Sequence, residues 1–118
     1  MDGRLAIRTD RSVYAPGDSL VVVLTLTNPD ADTAVLRFAT GQRFDVEVED
    51  SAGQGVWRWA EGMMFMQMLG DVRVPPGDSV AYRVAAVAPT APGRYVVVGR
   101  IPAMDRALEA RAEITVRP

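Results

Sequence analysis

Apolar side chains recur at every second position through most of this chain, and that period leaves little room for anything but β-structure. In "SLVVVLTLTN" Leu20, Val22, Leu24 and Leu26 share one face. Leu36 and Phe38 do the same in "TAVLRFAT", and Val80, Tyr82 and Val84 in "SVAYRVAAV". "RFDVEVED" sets Phe44, Val46 and Val48 against Asp45, Glu47 and Glu49. "ALEARAEITV" sets Leu108, Ala110, Ala112 and Ile114 against Glu109, Arg111 and Glu113, and "RYVVVGRI" is a nearly continuous apolar strand. Between these runs stand turns. "YAPGDS", "VPPGDS" and "TAPGRY" each carry Pro-Gly, the pair suited to the two central positions of a type II turn. "NPDAD" and "DSAGQG" are further turns. Short strands with a turn about every ten residues predict an all-β fold, an immunoglobulin-like antiparallel β-sandwich of seven to nine strands. The 118 residues suffice for one domain, residues 1–118, with a single core. Only "AMDRALEAR" is ambiguous between strand and helix.

One hairpin specifies its own register. Strands over 43–50 and 55–60 flank "SAGQ", and a two- or four-residue loop centred on Ala52-Gly53 sets Val48 opposite Trp57, Val46 opposite Trp59 and Glu47 opposite Arg58. Apolar pairs then fall on one face and an ion pair on the other, so both tryptophans point to the core. A loop one residue longer or shorter turns the apolar set of one strand outward.

The residue types exclude most catalysis. Histidine, cysteine and lysine are absent. The chain therefore lacks a Ser-His-Asp or Cys-His arrangement, the usual zinc ligands, a Schiff-base lysine and a phosphate-loop lysine. Carboxylates remain. Asp45, Glu47 and Glu49 recur along one strand face at roughly 6.6 Å, which imitates a glycosidase pair but reads as a solvated face with arginine partners. Asn28, Asp30 and Asp32 offer oxygen ligands for Ca²⁺, but a polar turn is the simpler reading. The expectation is a protein that is not an enzyme and holds no cofactor or metal. Thirteen arginines against fifteen acids, dispersed along the chain, give no run of basic residues, so no nucleic-acid partner is expected. The longest apolar run, "LVVVL", is too short to span a bilayer, and no signal peptide is visible at the start. A cysteine-free chain suits a reducing compartment, and cytoplasmic localisation is the expectation. Oligomeric state is not encoded in any feature of the sequence.

"GMMFMQML" breaks the pattern. Alternation stops at Glu61-Gly62, where glycine permits a bend. A strand resuming at Met64 would set Met64, Met66 and Met68 on one face and Met63, Phe65 and Gln67 on the other, leaving both largely apolar. Such a segment is either buried on both sides or keeps an exposed apolar edge for a partner. On the second reading Met63, Met64, Phe65 and Met66 are the candidate partner contacts, with Phe65 turned inward beside Trp57 and Trp59.

The ordered set "LTLTNPDADTAVLRFATGQRFDVEVEDSAGQGVWRWAEGMMFMQ", "VPPGDSVAYRV" and "PGRYVVVGRI" resembles the BsuPI family, named for an intracellular proteinase inhibitor of bacilli. The features are Asn28 ending a strand, an apolar strand running into "TGQRFDVEV", a Gly turn, "VWRW", a Gly- and Phe-containing segment, a Pro-Gly turn and a closing "GRY" strand. The resemblance covers roughly residues 20–101. It implies an immunoglobulin-like sandwich and inhibition of intracellular subtilisin-type serine proteinases, and it carries no reactive-site motif to this chain. An inhibitor needs an exposed segment that enters the cleft of a serine proteinase in extended form. "EGMMFMQMLG" and "GRIPAMDRA" are the candidates. The alternative is a non-inhibitory protein-interaction or structural β-sandwich module.

Overall fold

A computed structural model describes residues 4–118. Ten strands and no helix are found among them. They are β1 (Arg4–Thr9), β2 (Val13–Tyr14), β3 (Ser19–Thr27), β4 (Ala34–Phe38), β5 (Asp45–Asp50), β6 (Gly55–Arg58), β7 (Gly70–Val74), β8 (Ser79–Val87), β9 (Gly93–Pro102) and β10 (Ala107–Val116). Apart from the two-residue β2, nine remain, as the turn spacing implies. The ambiguous "AMDRALEAR" is a turn leading into β10.

The strands form a three-stranded sheet, β1-β3-β8, a five-stranded sheet, β2-β10-β9-β5-β6, and a two-stranded ribbon, β4-β7. All pairings are antiparallel except β2 with β10, which is parallel over Val13–Tyr14. The alternation decides which face is inside. Leu20, Val22 and Leu24 of β3 meet Val46 and Val48 of β5 and Val97 of β9 in the main core, all of them fully buried. A second cluster gathers Leu26, Leu36, Phe38, Val74 and Ile101 under the β4–β7 ribbon. Leu5, Phe44 and Tyr82 pack against both clusters. Each fully buried Leu or Phe stabilises by about 1.5–3 kcal/mol relative to an exposed one. The two sheets come so close at Gly99 that a Cβ there would meet Leu24 Cδ2 at 2.1 Å.

Two of the three Pro-Gly pairs make the expected turn. Asp18 N donates to Ala15 O with Gly17 at φ +75°, and Asp78 N donates to Pro75 O with Gly77 at φ +73°. The third differs. Gly93 opens β9 at φ +146°, an extended conformation essentially reserved for glycine, and the bend lies before it at Thr90-Ala91.

Asn28 is fully buried where β3 ends. Its Nδ2 donates to Asp32 O and Val74 O, and its Oδ1 accepts from Asp30 N. Its backbone exchanges hydrogen bonds with Asp78 O and Gly77 N. One side chain thus ties the 28–33 turn, the end of β7 and the 75–78 turn together. Its oxygen is engaged within the turn, which supports the structural reading of "NPDAD" over a Ca²⁺ site. Among the described residues no group of three or more acidic side chains is placed to hold a metal ion.

Candidate partner-binding segment

The β5–β6 hairpin builds the base of the site. Val48 stands opposite Trp57 and Glu47 opposite Arg58, and Trp59 N donates to Val46 O. This is the expected register, reached by a different route. The connection is the three-residue loop Ser51-Ala52-Gly53, closed by Asp50 N to Gln54 O. Asp50 Oδ1 accepts from Ala52 N and Gln54 N, and Gly53 sits at φ +83°. Glu49 then faces Gly55, one residue out of step, and a bulge at Val56 restores the alignment. The extra residue points outward, half exposed, so the tryptophans keep the core side. Both are half-buried against the main core.

The outer face of the hairpin needs one correction. Glu47 and Arg58 are register partners, but Arg58 Nε donates to Asp45 Oδ2 at 2.5 Å, along the diagonal. Asp45 is only 3% exposed and is not part of a solvated face. Its other oxygen accepts from Val46 N and from Ala60 N, which opens the segment beyond the hairpin. The alternation gave its side correctly; the chain folding back at residue 60 is what covers it. Glu47 and Glu49 are engaged with arginines of the neighbouring strands. Arg100 reaches Glu47 at 3.0 Å and Glu109 at 3.1 Å, and Arg111 reaches Glu49 at 3.4 Å and Glu109 at 3.3 Å. Burial works against the charge of Arg100, but hydrogen bonds to Glu47 and Glu109 hold its pKa above the ordinary value. Hydrogen bonding to Arg111 holds Glu109 below the usual carboxylate range. Each of these carboxylates has a guanidinium partner, as the reading of an arginine-paired face expects.

Beyond Trp59 the chain turns over Ala60–Met63, with Met63 N donating to Ala60 O and Gly62 at φ +79°. No strand resumes at Met64; residues 63–69 run without regular pairing until β7 begins at Gly70. Only one side chain of the segment turns inward. Phe65 lies 6.0 Å from the Trp59 ring, which stacks on Phe44 at 4.2 Å, which stacks on Tyr82 at 4.8 Å. This aromatic row runs from the core to the segment. Met66 O accepts from Gly41 N, a second anchor. Arg43 lies over the Phe38 ring and donates to Thr40 O, close enough to Gly70 that a Cβ there would meet its guanidinium at 2.6 Å.

The methionines stay outside. Met64 is 97% exposed, Met66 71% and Leu69 75%, and Met63 and Met68 are about half exposed. Leu69 and Met104 line one shallow pocket of about 350 Å³ with Phe38, Arg37 and Asp71. The fold therefore joins the two candidate segments, "EGMMFMQMLG" and "GRIPAMDRA", at one apolar surface. Leu69 and Met104 belong to that surface, although the sequence singles out only residues 63–66 as contacts. The signal for them was the apolar character of their own segments, and their meeting needed the tertiary fold.

Solved structures with this fold include Spo0M, the sporulation control protein of Bacillus subtilis (TM-score 0.64, 9% identity, covering 98% of this chain and 49% of that one). The cycloisomaltooligosaccharide glucanotransferase of a Paenibacillus species aligns at TM-score 0.62 and 15% identity, over 98% of this chain and 14% of that one. The CARDB domain of PF1109 from Pyrococcus furiosus aligns at TM-score 0.58 and 13% identity, over 98% and 87%. This chain thus spans about half the length of the sporulation control protein. At such identities the likeness establishes the fold alone. No curated protein matches the chain. The family model of BsuPI, the intracellular proteinase inhibitor, matches residues 7–106, most of the length, and the chain belongs to that family.

Proposed function

We propose that the protein inhibits an intracellular subtilisin-type serine proteinase, presenting residues 63–66 to its cleft. The observation that carries this reading is the contrast within four residues: Met64 and Met66 open to water, Phe65 held against Trp59. Inhibition by occlusion requires no catalytic group, which agrees with a chain lacking histidine, cysteine and lysine. A segment fixed at Phe65 and at Met66 O loses less conformational freedom on binding than a free loop would. Each methionine that becomes buried in an apolar subsite adds about 1.5–3 kcal/mol of favourable transfer. Met63, Met64 and Met66 are the contacts, and Phe65 is the residue that holds them in place. The family description supports inhibition and a cellular interior in general terms. The class of proteinase and the contact residues are our reading.

A second reading, a non-inhibitory interaction module, is favoured by one specific finding. The same sandwich makes up 49% of one larger chain and 14% of another. Titrating the protein against a panel of serine and cysteine proteinases separates the two. Inhibition of subtilisin-type members that is lost when residues 63–66 are replaced by serines supports the first. No inhibition of any member, with a folded protein, supports the second.

A further inference from the structure

The outward faces of the two large sheets carry charge in different ways. On the five-stranded sheet Arg58, Arg100 and Arg111 are each paired with carboxylates of β5 or β10. The β1-β3-β8 sheet has no aspartate or glutamate in any of its three strands. Leu5 and Ile7 of β1 and Val84 of β8 point to the core, so Arg4, Arg8 and Arg83 project from the other face. The acids that flank these strands are engaged locally. Asp10 accepts from Tyr14 OH and Val21 N, Asp18 from Ala15 N, and Asp78 from Ser79 N. Arg4, Arg8 and Arg83 make no ion pair with any described residue.

The registers put these arginines together although 75 positions separate Arg8 from Arg83. Arg8 faces Val23, and Val23 faces Arg83, so the two stand in one cross-strand row with Cα atoms about 10 Å apart. Arg4 lies about 13 Å along β1 from Arg8. Around them the surface is low: Ala6, Ala81 and Ala85 are exposed, and β3 between them offers half-buried valine and threonine. Guanidinium groups therefore stand clear of a flat floor.

We propose that this face docks an acidic segment of another protein, its carboxylates paired with Arg4, Arg8 and Arg83. This is independent of the inhibitor reading. Charge complementarity selects the occupant. A second copy bound through the same face would set arginine against arginine. Nucleic acid is disfavoured because three arginines on a chain of net charge -2 release few counterions.

The test is a fluorescence-anisotropy titration with a labelled decaglutamate peptide, comparing the parent with Arg83→Glu and Arg94→Glu. Arg94 is exposed on β9 of the other sheet, so both variants change net charge equally. Arg83→Glu is expected to weaken binding about tenfold and Arg94→Glu less than about twofold, with affinity falling as salt rises. Arg8→Gln, which probes the same row from its other end, is expected to weaken binding about threefold. Equal losses in Arg83→Glu and Arg94→Glu, or no binding by the parent at low salt, would overturn the proposal. So would tighter, Arg83-dependent binding of a single-stranded oligonucleotide or of anionic vesicles.

Discussion

Trp59 and Met64 stand on either side of the Gly62 turn, and both are large, soft and apolar. Trp59 packs between Phe44 and Phe65 and against the main core, whereas Met64 is almost wholly in water. The difference is one of pairing. Trp59 directly follows β6, and its N–H bond to Val46 O of β5 carries the hairpin register on and fixes its side. Residues 63–69 have no strand partner, so nothing in the sheets assigns their side chains an inner face. The comparison teaches that burial here follows from register before it follows from hydrophobicity. An unpaired apolar segment on a well-paired frame is available for a partner.

The largest expected effect lies on the paired side. Trp59→Ala removes the centre of the aromatic row and is expected to destabilise by about 2–4 kcal/mol, somewhat below the cost for a fully buried aromatic. Denaturant unfolding measures it, and a loss below about 0.5 kcal/mol would erase the contrast with Met64. Asp45→Ala leaves Ala60 N and the Arg58 guanidinium without their acceptor. A cost of about 1–3 kcal/mol is expected, with faster hydrogen exchange at Ala60 as the local signature. At the boundary, Gly62→Ala forces a side chain into a left-handed conformation and is expected to cost about 1 kcal/mol. Proteinase nicking between residues 60 and 69 should rise in that variant if the turn holds the segment.

Titration sharpens the same contrast, since the segment carries few ionisable groups. Hydrogen bonds from Val21 N and Tyr14 OH hold the Asp10 carboxyl below 3.8, and hydrogen bonding to Arg111 lowers Glu109. A depressed carboxyl pKa contributes stability that is present above the unfolded value and lost as pH falls through the folded one. Stability should therefore decline below about pH 4. Burial raises the Tyr14 and Tyr82 phenols above 10.0, so stability should also fall as pH rises past that value toward their folded pKa. With no histidine, the unfolding temperature should stay level between pH 6 and 8. A steep slope in that window would contradict the account.

Much of this molecule is legible in its sequence because a sheet residue has only two sides. The alternations in β3, β5 and β8 name the core directly, and the Val48–Trp57 pairing follows from requiring both apolar faces to agree. The β-bulge at Val56 was not legible, since a two-residue or four-residue loop satisfies the same constraint. Nor was the third Pro-Gly, because the pair suits a turn but does not compel one, and at Gly93 the extended chain wins. Asp45 reads as a surface residue from its alternation, and only the return of the chain at Ala60 buries it. The candidate segment was visible as a break in the period, with Phe65 set apart from its methionines. Its union with Met104 was not, because residues 69 and 104 meet only through the tertiary packing of β4, β7 and the turn before β10.

The central claim is that the methionines of residues 63–66 serve a partner and not the fold, with Phe65 as their anchor. Met64→Asp tests it most directly, through paired measurements of unfolding temperature and of inhibition of a subtilisin-type proteinase. The account predicts a stability change within about 0.5 kcal/mol of zero, as for an exposed site, together with loss of inhibition. A variant that inhibits as well as its parent, or one that is markedly destabilised, would contradict it.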